Sequence, residues 1–289
     1  YSKRTIIMND QIKKNKKHFL MVMFFSLFVL FLYGPIIAII ILSFQGPDGG
    51  LTFPMNGVSV HWFGKLFEEQ RVGDFKGSLS RSFVLALIVM VLTVIISLSA
   101  GLAYRRPFKL SGVVFYLTIA SLIVPSILIT LGIGLMFDRI GLENNWYTSG
   151  MGAHLTWTLP FGLLIMFAIF NRFDKSYEEA ARDLGATNWQ VLWHIIIPII
   201  GPSLVGIGLF GFTLSFDEFA RSLLSVGSKN TLPLEIFGMT TTVTTPTLYA
   251  LGTLTTLVSF IVIGVSFGLI FFLERRRYRR EKELAVQEV

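Results

Sequence analysis

The sequence predicts an all-α integral membrane protein with six transmembrane helices, and three observations carry that prediction. Hydrophobic residues fill 53% of the 289 positions and charged ones only 15%, which is more apolar surface than a soluble domain of this length covers. Apolar runs of about 20 residues, the length a helix needs to cross a bilayer core, recur from end to end and leave no stretch for a separate globular core. Lys and Arg gather in short clusters beside these runs, as membrane topology requires, rather than over a folded polar surface as nucleic-acid binding would require.

The spans follow in order. The first, 19–44, comes after a basic tail, 1–18, that ends in Lys13, Lys14, Lys16 and Lys17. It is too long for a signal peptide and has no small-residue cleavage site, so it is expected to stay as a helix. The second, 80–104, stops at Arg105 and Arg106, and the third, 111–137, the fourth, 151–171, and the fifth, 191–216, continue the alternation. The sixth, 248–273, closes the 19–273 membrane domain and is followed by a basic tail, 274–289. Its Arg275-Arg276-Arg277-Tyr278-Arg279-Arg280 run directly after an apolar span suits a stop-transfer and lipid-headgroup role, not nucleic acid. With both termini inside, 18 of the 25 Lys and Arg fall on the inner face, so both termini are expected to be cytoplasmic.

Several kinds of chemistry drop out. No cysteine is present, which removes disulfides, thiolate metal sites and a Cys nucleophile. His18, His61, His154 and His194 form no ligand-spaced pair, so no metal site and no catalytic set is expected. Ionisable residues are nearly absent from the spans. Ion-coupled carriers place costly carboxylates or histidines there, and a membrane-embedded enzyme would need a convergent catalytic set, so both classes are disfavoured. No G-x-x-x-x-G-K-[ST] loop occurs; any ATPase must therefore be a partner. Gly206-Ile207-Gly208-Leu209-Phe210-Gly211 spells G-x-G-x-x-G, but inside an apolar span with no preceding strand. Close helix packing, or backbone flexibility at a gate, explains it better, as it does Gly264-x-x-x-Gly268.

The loop 172–190 is the most explicit segment. Ser176 with Glu179, and Thr187 with Gln190, each spell a capping box, so two helix starts are expected. Gly185 between them suits a left-handed C-terminal cap. On the short first helix Tyr177, Ala180, Ala181 and Leu184 fall at i, i+3, i+4 and i+7, one apolar stripe. A two-turn helix is marginal alone in water, so the stripe calls for a docking partner.

These residues match the EAA motif of ABC importer permeases, E-A-A-x₃-G-x₉-I-x-L-P, at Glu179, Ala180, Ala181, Gly185, Ile195 and Pro198, with Ile197 in the place of Leu. Leu214-Ser215-Phe216-Asp217-Glu218-Phe219 and Thr231-Leu232-Pro233-Leu234-Glu235-Ile236-Phe237 extend the resemblance toward the spermidine/putrescine permeases, the second membrane subunit in particular. Permeases for opines, phosphonates and other small solutes are similar. The resemblance implies a type I ABC importer (MetI-like) permease fold in a bacterial inner membrane, with the short helix, Leu184 included, as a coupling helix seated on an ATPase subunit. It also implies four further proteins: a homologous second permease, two ATP-binding subunits that hold ATP and Mg, and an extracytoplasmic solute-binding protein. No cofactor is expected on this chain.

Two features keep two readings each. Pro198 and Pro202 near the start of the fifth span either bend it, turning coupling-helix motion into tilt, or are tolerated first-turn prolines. Asp217 and Glu218 past its end either steer a cation toward the pathway or form a solvated helix end.

Overall fold

The structure, a computed structural model, describes residues 2–68, 73–106, 108–242 and 245–287. Among these residues the regular structure is helical, apart from one isolated antiparallel bridge between Gln45 and Val58. The chain divides into two compact units, Tyr1–Glu68 with Val243–Thr256, and Glu69–Thr242 with Leu257–Val289.

In the first unit α1 (Ser2–Leu42) runs from the basic tail through the first span without a break. The loop after it is tied by buried Gln45, whose Oε1 accepts from the Asn56 N–H at 2.8 Å and whose Nε2 donates to Gly50 O at 3.2 Å. Trp62 of α2 (His61–Lys65) donates its indole N–H to Gly46 O at 3.3 Å. Tyr249, in the first turn of α11 (Thr247–Gln287), donates its hydroxyl to Leu51 O at 2.7 Å.

The second unit is built on α3 (Phe75–Tyr104), α6 (Met151–Arg172) and α9 (Ile197–Phe216), which pack on one another, with α10 (Leu232–Thr242) later in the chain packing on α3. Leu85, Ala86, Val89, Met166 and Ile207 are buried between them, and a Thr93–Thr158 hydroxyl pair at 2.8 Å satisfies two polar groups at the α3–α6 contact. The glycine decoy resolves here. A Cβ on Gly208 would meet Val94 and Met90, and one on Gly211 would meet Thr93, each about 3.3 Å away, so both glycines let α9 approach α3 closely. Gly206, Gly264 and Gly268 face open space.

The third span departs from the sequence reading. In place of one helix over 111–137 there are two, α4 (Ser111–Ala120) and α5 (Ser126–Arg139). Pro125 has no N–H to give and disfavours helical backbone at Val124. At the break Ser121 Oγ donates to Thr118 O at 2.8 Å and to Thr156 O of α6 at 2.9 Å. At 1.5 Å per residue the halves reach about 15 and about 21 Å, each short of a bilayer core of about 30 Å. The five other predicted spans are helices long and apolar enough to cross, and the α4–α5 pair takes the place of the third. Irregular backbone at that depth is tolerable where protein supplies partners.

Both basic tails continue their spans as helix, α1 from Ser2 and α11 to Gln287. Lys, Arg and Glu are good helix formers, and neither tail contains Gly or Pro to stop one. The side chains of the N-terminal lysines up to Lys16, and those of the arginine run beyond Arg275, lie outside the described residues.

Candidate functional site

The segment after α6 folds into α7 (Ser176–Asp183) and α8 (Asn188–Val191), then a π turn (Leu192–Ile196) that leads into α9. The start of α7 corrects the sequence reading. Ser176 and Glu179 do not form a capping box; Lys175 is the N-cap and makes no side-chain cap bond. Asp174, one residue earlier, takes the orphan donor instead, its Oδ1 accepting from the Ser176 N–H at 2.9 Å. A carboxylate gains a charge-assisted bond and the favourable end of the helix dipole there, which a serine hydroxyl cannot match. That backbone bond, with one from the Ser176 side chain, holds the Asp174 carboxyl below its ordinary pKa.

The other local expectations are realised. Gly185 has φ +85°. Its N–H donates to Arg182 O at 2.8 Å, and the Ala186 N–H donates to Ala181 O at 3.0 Å, the two bonds of a Schellman cap. Two residues on, the Thr187 N–H donates to Gln190 Oε1 at 2.8 Å and the Gln190 N–H returns to Thr187 Oγ1 at 3.3 Å, the reciprocal capping box.

The apolar stripe of α7 faces away from the chain. Leu184 is 90% exposed and Tyr177 56%, Ala180 is exposed and only Ala181 is half-buried. Ala181 and Ala186 pack on Met166, Val191, Ile196 and Ile200. Beside them Ala181, Leu184, Gly185, Ala186, Gln190, His194 and Ile195 line an open hollow of about 360 Å³. Ile195 and Ile197 are half-buried and Pro198 exposed. Trp189 and Trp193, exposed rings 5.6 Å apart, extend the apolar surface along the next helix. Pro198 lies in the first turn of α9, directly after the π turn, and Pro202 lies inside the helix.

The residue that α7 turns inward is polar, and sequence patterning missed it. Glu178 is buried; its Oε1 accepts from Arg105 Nη2 at the end of α3, and its Oε2 lies 3.7 Å from Arg182. Helical periodicity placed Glu178 off the apolar stripe, but nothing local says that the opposite face meets an arginine 73 residues earlier.

Asp217 and Glu218 lie at the far end of α9, about 30 Å from its start at 1.5 Å per residue. Asp217 is the C-cap. Glu218 is half-buried, and its Oε1 accepts from the Arg221 N–H at 2.9 Å. Ile197 and Pro198 at the start of α9 and the two carboxylates at its end therefore occupy opposite ends of one helix. Next to the carboxylates sits a buried polar cluster that sequence reading also missed. His154 Nδ1 is 2.8 Å from Ser215 Oγ and its Nε2 is 2.9 Å from Ser222 Oγ. Arg221 is fully buried, donates to Thr156 Oγ1 and lays its guanidinium 4.8 Å from the centre of the Trp157 ring. These residues join α6 to the turn-rich segment after α9. We expect His154→Leu, which strips one partner from each serine, to lower stability by about 1–3 kcal/mol. Thermal unfolding in detergent checks this, and an unchanged midpoint would contradict it.

Residues 93–280 match the family described as binding-protein-dependent transport system inner membrane component. The chain is 30% identical over 241 residues to the spermidine/putrescine transport system permease protein PotC of Haemophilus influenzae, covering 82% of this chain and 90% of that one. It is 28% identical over 257 residues to the putrescine transport system permease protein PotI of Escherichia coli, covering 86% and 90% respectively. In fold it resembles a chain of a bacterial ABC transporter that imports the acidic polysaccharide alginate, with TM-score 0.63 and 17% identity over 87% of this chain and 94% of that one. It also resembles a chain of the inward-facing MetNI methionine ABC transporter, with TM-score 0.57 and 15% identity over 69% and 95%. With the family match spanning most of its length, the exposed capped helix after its fourth span and the fold it shares with importer permeases, the chain belongs to the family of binding-protein-dependent transport system inner membrane components.

Proposed function

We propose that this permease subunit carries polyamines, spermidine or putrescine, inward through a bacterial inner membrane, with both termini on the cytoplasmic side. The names of its relatives support the solute, and the distribution of Lys and Arg supports the orientation. The observation that supports the mechanism is the exposure of Tyr177, Ala180 and Leu184 on the apolar stripe of α7, beside a break capped on both sides. Glu179, Ala180, Ala181, Leu184 and Gly185 form the surface that sits on an ATP-binding subunit, and Ile195, Ile197 and Pro198 carry the motion into α9. Two such subunits hold ATP and Mg; a second homologous permease supplies the other half of the pathway, and a solute-binding protein delivers solute from outside. ATP binding closes the ATPase pair, the coupling helices move, and the pathway opens outward. Hydrolysis resets it. Asp217 and Glu218 mark the end of α9 from which a cation would be drawn in.

The test is ATP hydrolysis by the native assembly purified through this chain and reconstituted with its solute-binding protein. Spermidine or putrescine is expected to stimulate hydrolysis while non-polyamine solutes do not. Stimulation by another solute alone would keep the importer and remove the polyamine. Absence of any co-purifying ATPase would overturn the mechanism in favour of an ATPase-independent carrier.

A further inference from the structure

α7 is joined covalently to α6 before it and, across the Gly185 break, to α8 and α9 after it. Its link to α3, the second span, is made by side chains. Arg105 is the C-cap residue of α3. Its guanidinium lies 4.9 Å from the centre of the Phe170 ring at the end of α6 and 5.5 Å from that of Phe173 just beyond, while Nη2 reaches Glu178 Oε1. The two side chains are only 17% and 9% exposed. Five groups from three elements thus meet here: Arg105, the rings of Phe170 and Phe173, Glu178, and Arg182, which lies 3.7 Å from the other Glu178 oxygen.

We infer that Glu178 and Arg105 form the joint through which displacement of α7 is transmitted to α3. A largely buried ion pair contributes little net stability compared with apolar packing of the same size, so adhesion alone is a poor reason for this one. It supplies register. An apolar contact slides at small cost, whereas a charge-assisted hydrogen bond weakens steeply once donor and acceptor part or misalign. The two rings hold the guanidinium against such sliding. Because Glu178 faces inward, Tyr177, Ala180 and Leu184 stay exposed for a partner while the joint stays closed. α3 packs on both α6 and α9, so a displacement that enters α3 reaches the whole core of the second unit. Glu178 and Arg105 are positioning residues in this scheme; neither touches nucleotide or solute.

The inference rests on the importer reading, and its test separates the two. In the reconstituted assembly, Arg105→Ala and Glu178→Ala are each expected to lower the solute moved per ATP hydrolysed by about tenfold, within the range for residues along a coupling network, while the ATPase subunits still co-purify. The double variant should be no worse than the worse single, as expected of residues that act as a unit. A purely structural role would reduce the yield of assembled complex and leave that ratio alone. Because the chain has no cysteine, the variant Arg105→Cys/Glu178→Cys can be bridged with a short, reducible, bifunctional thiol reagent. Bridging should recover most of the ratio and reduction should lose it again. If Glu178→Ala does not assemble, Glu178→Gln, which keeps the shape and removes the charge, carries the same measurement. An unchanged ratio in the single variants, or a bridged pair that stays uncoupled, would overturn the joint and leave the importer standing. Failure of the unmodified chain to bring down an ATPase would remove both.

Discussion

Gly185→Val is expected to abolish most ATP-driven transport while the chain still folds, inserts and assembles. Gly185 sits at φ +85°, and a Cβ there would meet no atom within 4 Å, so the cost is one of backbone and not of collision. A left-handed conformation costs an L-residue roughly 1–2 kcal/mol, and a β-branched residue tolerates it worst. That is small against the stability of the whole protein but comparable with the two hydrogen bonds that end α7, those from the Gly185 and Ala186 N–H groups. The local answer is to give up the Schellman cap, let α7 fray and lose the fixed angle between α7 and α8. The thermal unfolding midpoint should stay close to that of the unmodified protein, and solute moved per ATP should fall at least about tenfold, since a displacement of about 1 Å in a positioned group already costs up to about a hundredfold in rate. Gly185→Asn, which accepts left-handed backbone, should behave nearly as the unmodified chain. Full transport by the valine variant would show that the geometry of this break does not matter for coupling.

Gly227→Ala is expected to have the opposite profile, loss of the folded protein itself. Gly227 also has a left-handed φ, +69°, but here an added Cβ would lie 2.1 Å from the backbone carbonyl oxygen of Asn144 and 3.0 Å from its carbon. Backbone cannot rotate out of the way as a side chain can. The turn is pinned on both sides: Ser149 Oγ donates to Ser225 O at 2.6 Å, and the Asn145 N–H donates to Ser149 Oγ at 2.9 Å. Relief of the clash would pull the segment after α9 away from the start of the fourth span. Overpacking of about 1–3 kcal/mol and the left-handed penalty of about 1–2 kcal/mol act together, for a loss of about 2–5 kcal/mol. The amount of membrane-inserted protein and its unfolding midpoint in detergent measure it. A midpoint equal to that of the unmodified chain would mean that the turn is free to move and is not packed against Asn144. Gly185→Ala, which introduces a Cβ into open space, is the matched control.

The contrast between these two glycines shows where sequence reading reaches its limit. Gly185 was legible because everything that defines it is local: a short amphipathic helix before, a Thr187–Gln190 capping box after, and a residue free to adopt positive φ between. Gly227 carries no such flanking pattern; its constraint is a carbonyl 83 residues earlier, brought near by folding. The same division runs through the segment of α7 and α8. Its apolar stripe and second capping box follow from spacing alone. Ser-x-x-Glu fits the pattern of a first cap at Ser176, whereas the neighbouring carboxylate of Asp174 makes the stronger bond. The break in the third span had a visible signal in Pro125, masked by the apolar residues on both sides, which satisfy a hydropathy criterion whether or not the helix is continuous.

The sequence by itself determined that this chain is helical and membrane-spanning, roughly where it crosses, and which short segment carries a capped helix with an apolar stripe. Period, length, caps and charge beside apolar runs are properties of neighbouring residues, and they act before any tertiary contact forms. Only the tertiary structure decided that Glu178 turns inward to Arg105, that His154 and Arg221 share a buried polar cluster beside the end of α9, and that Ser121 at the break in the third span is tied to Thr156 of α6. Buried polar groups must find partners, but which partner each finds depends on how helices separated by tens of residues pack, and no local pattern encodes that.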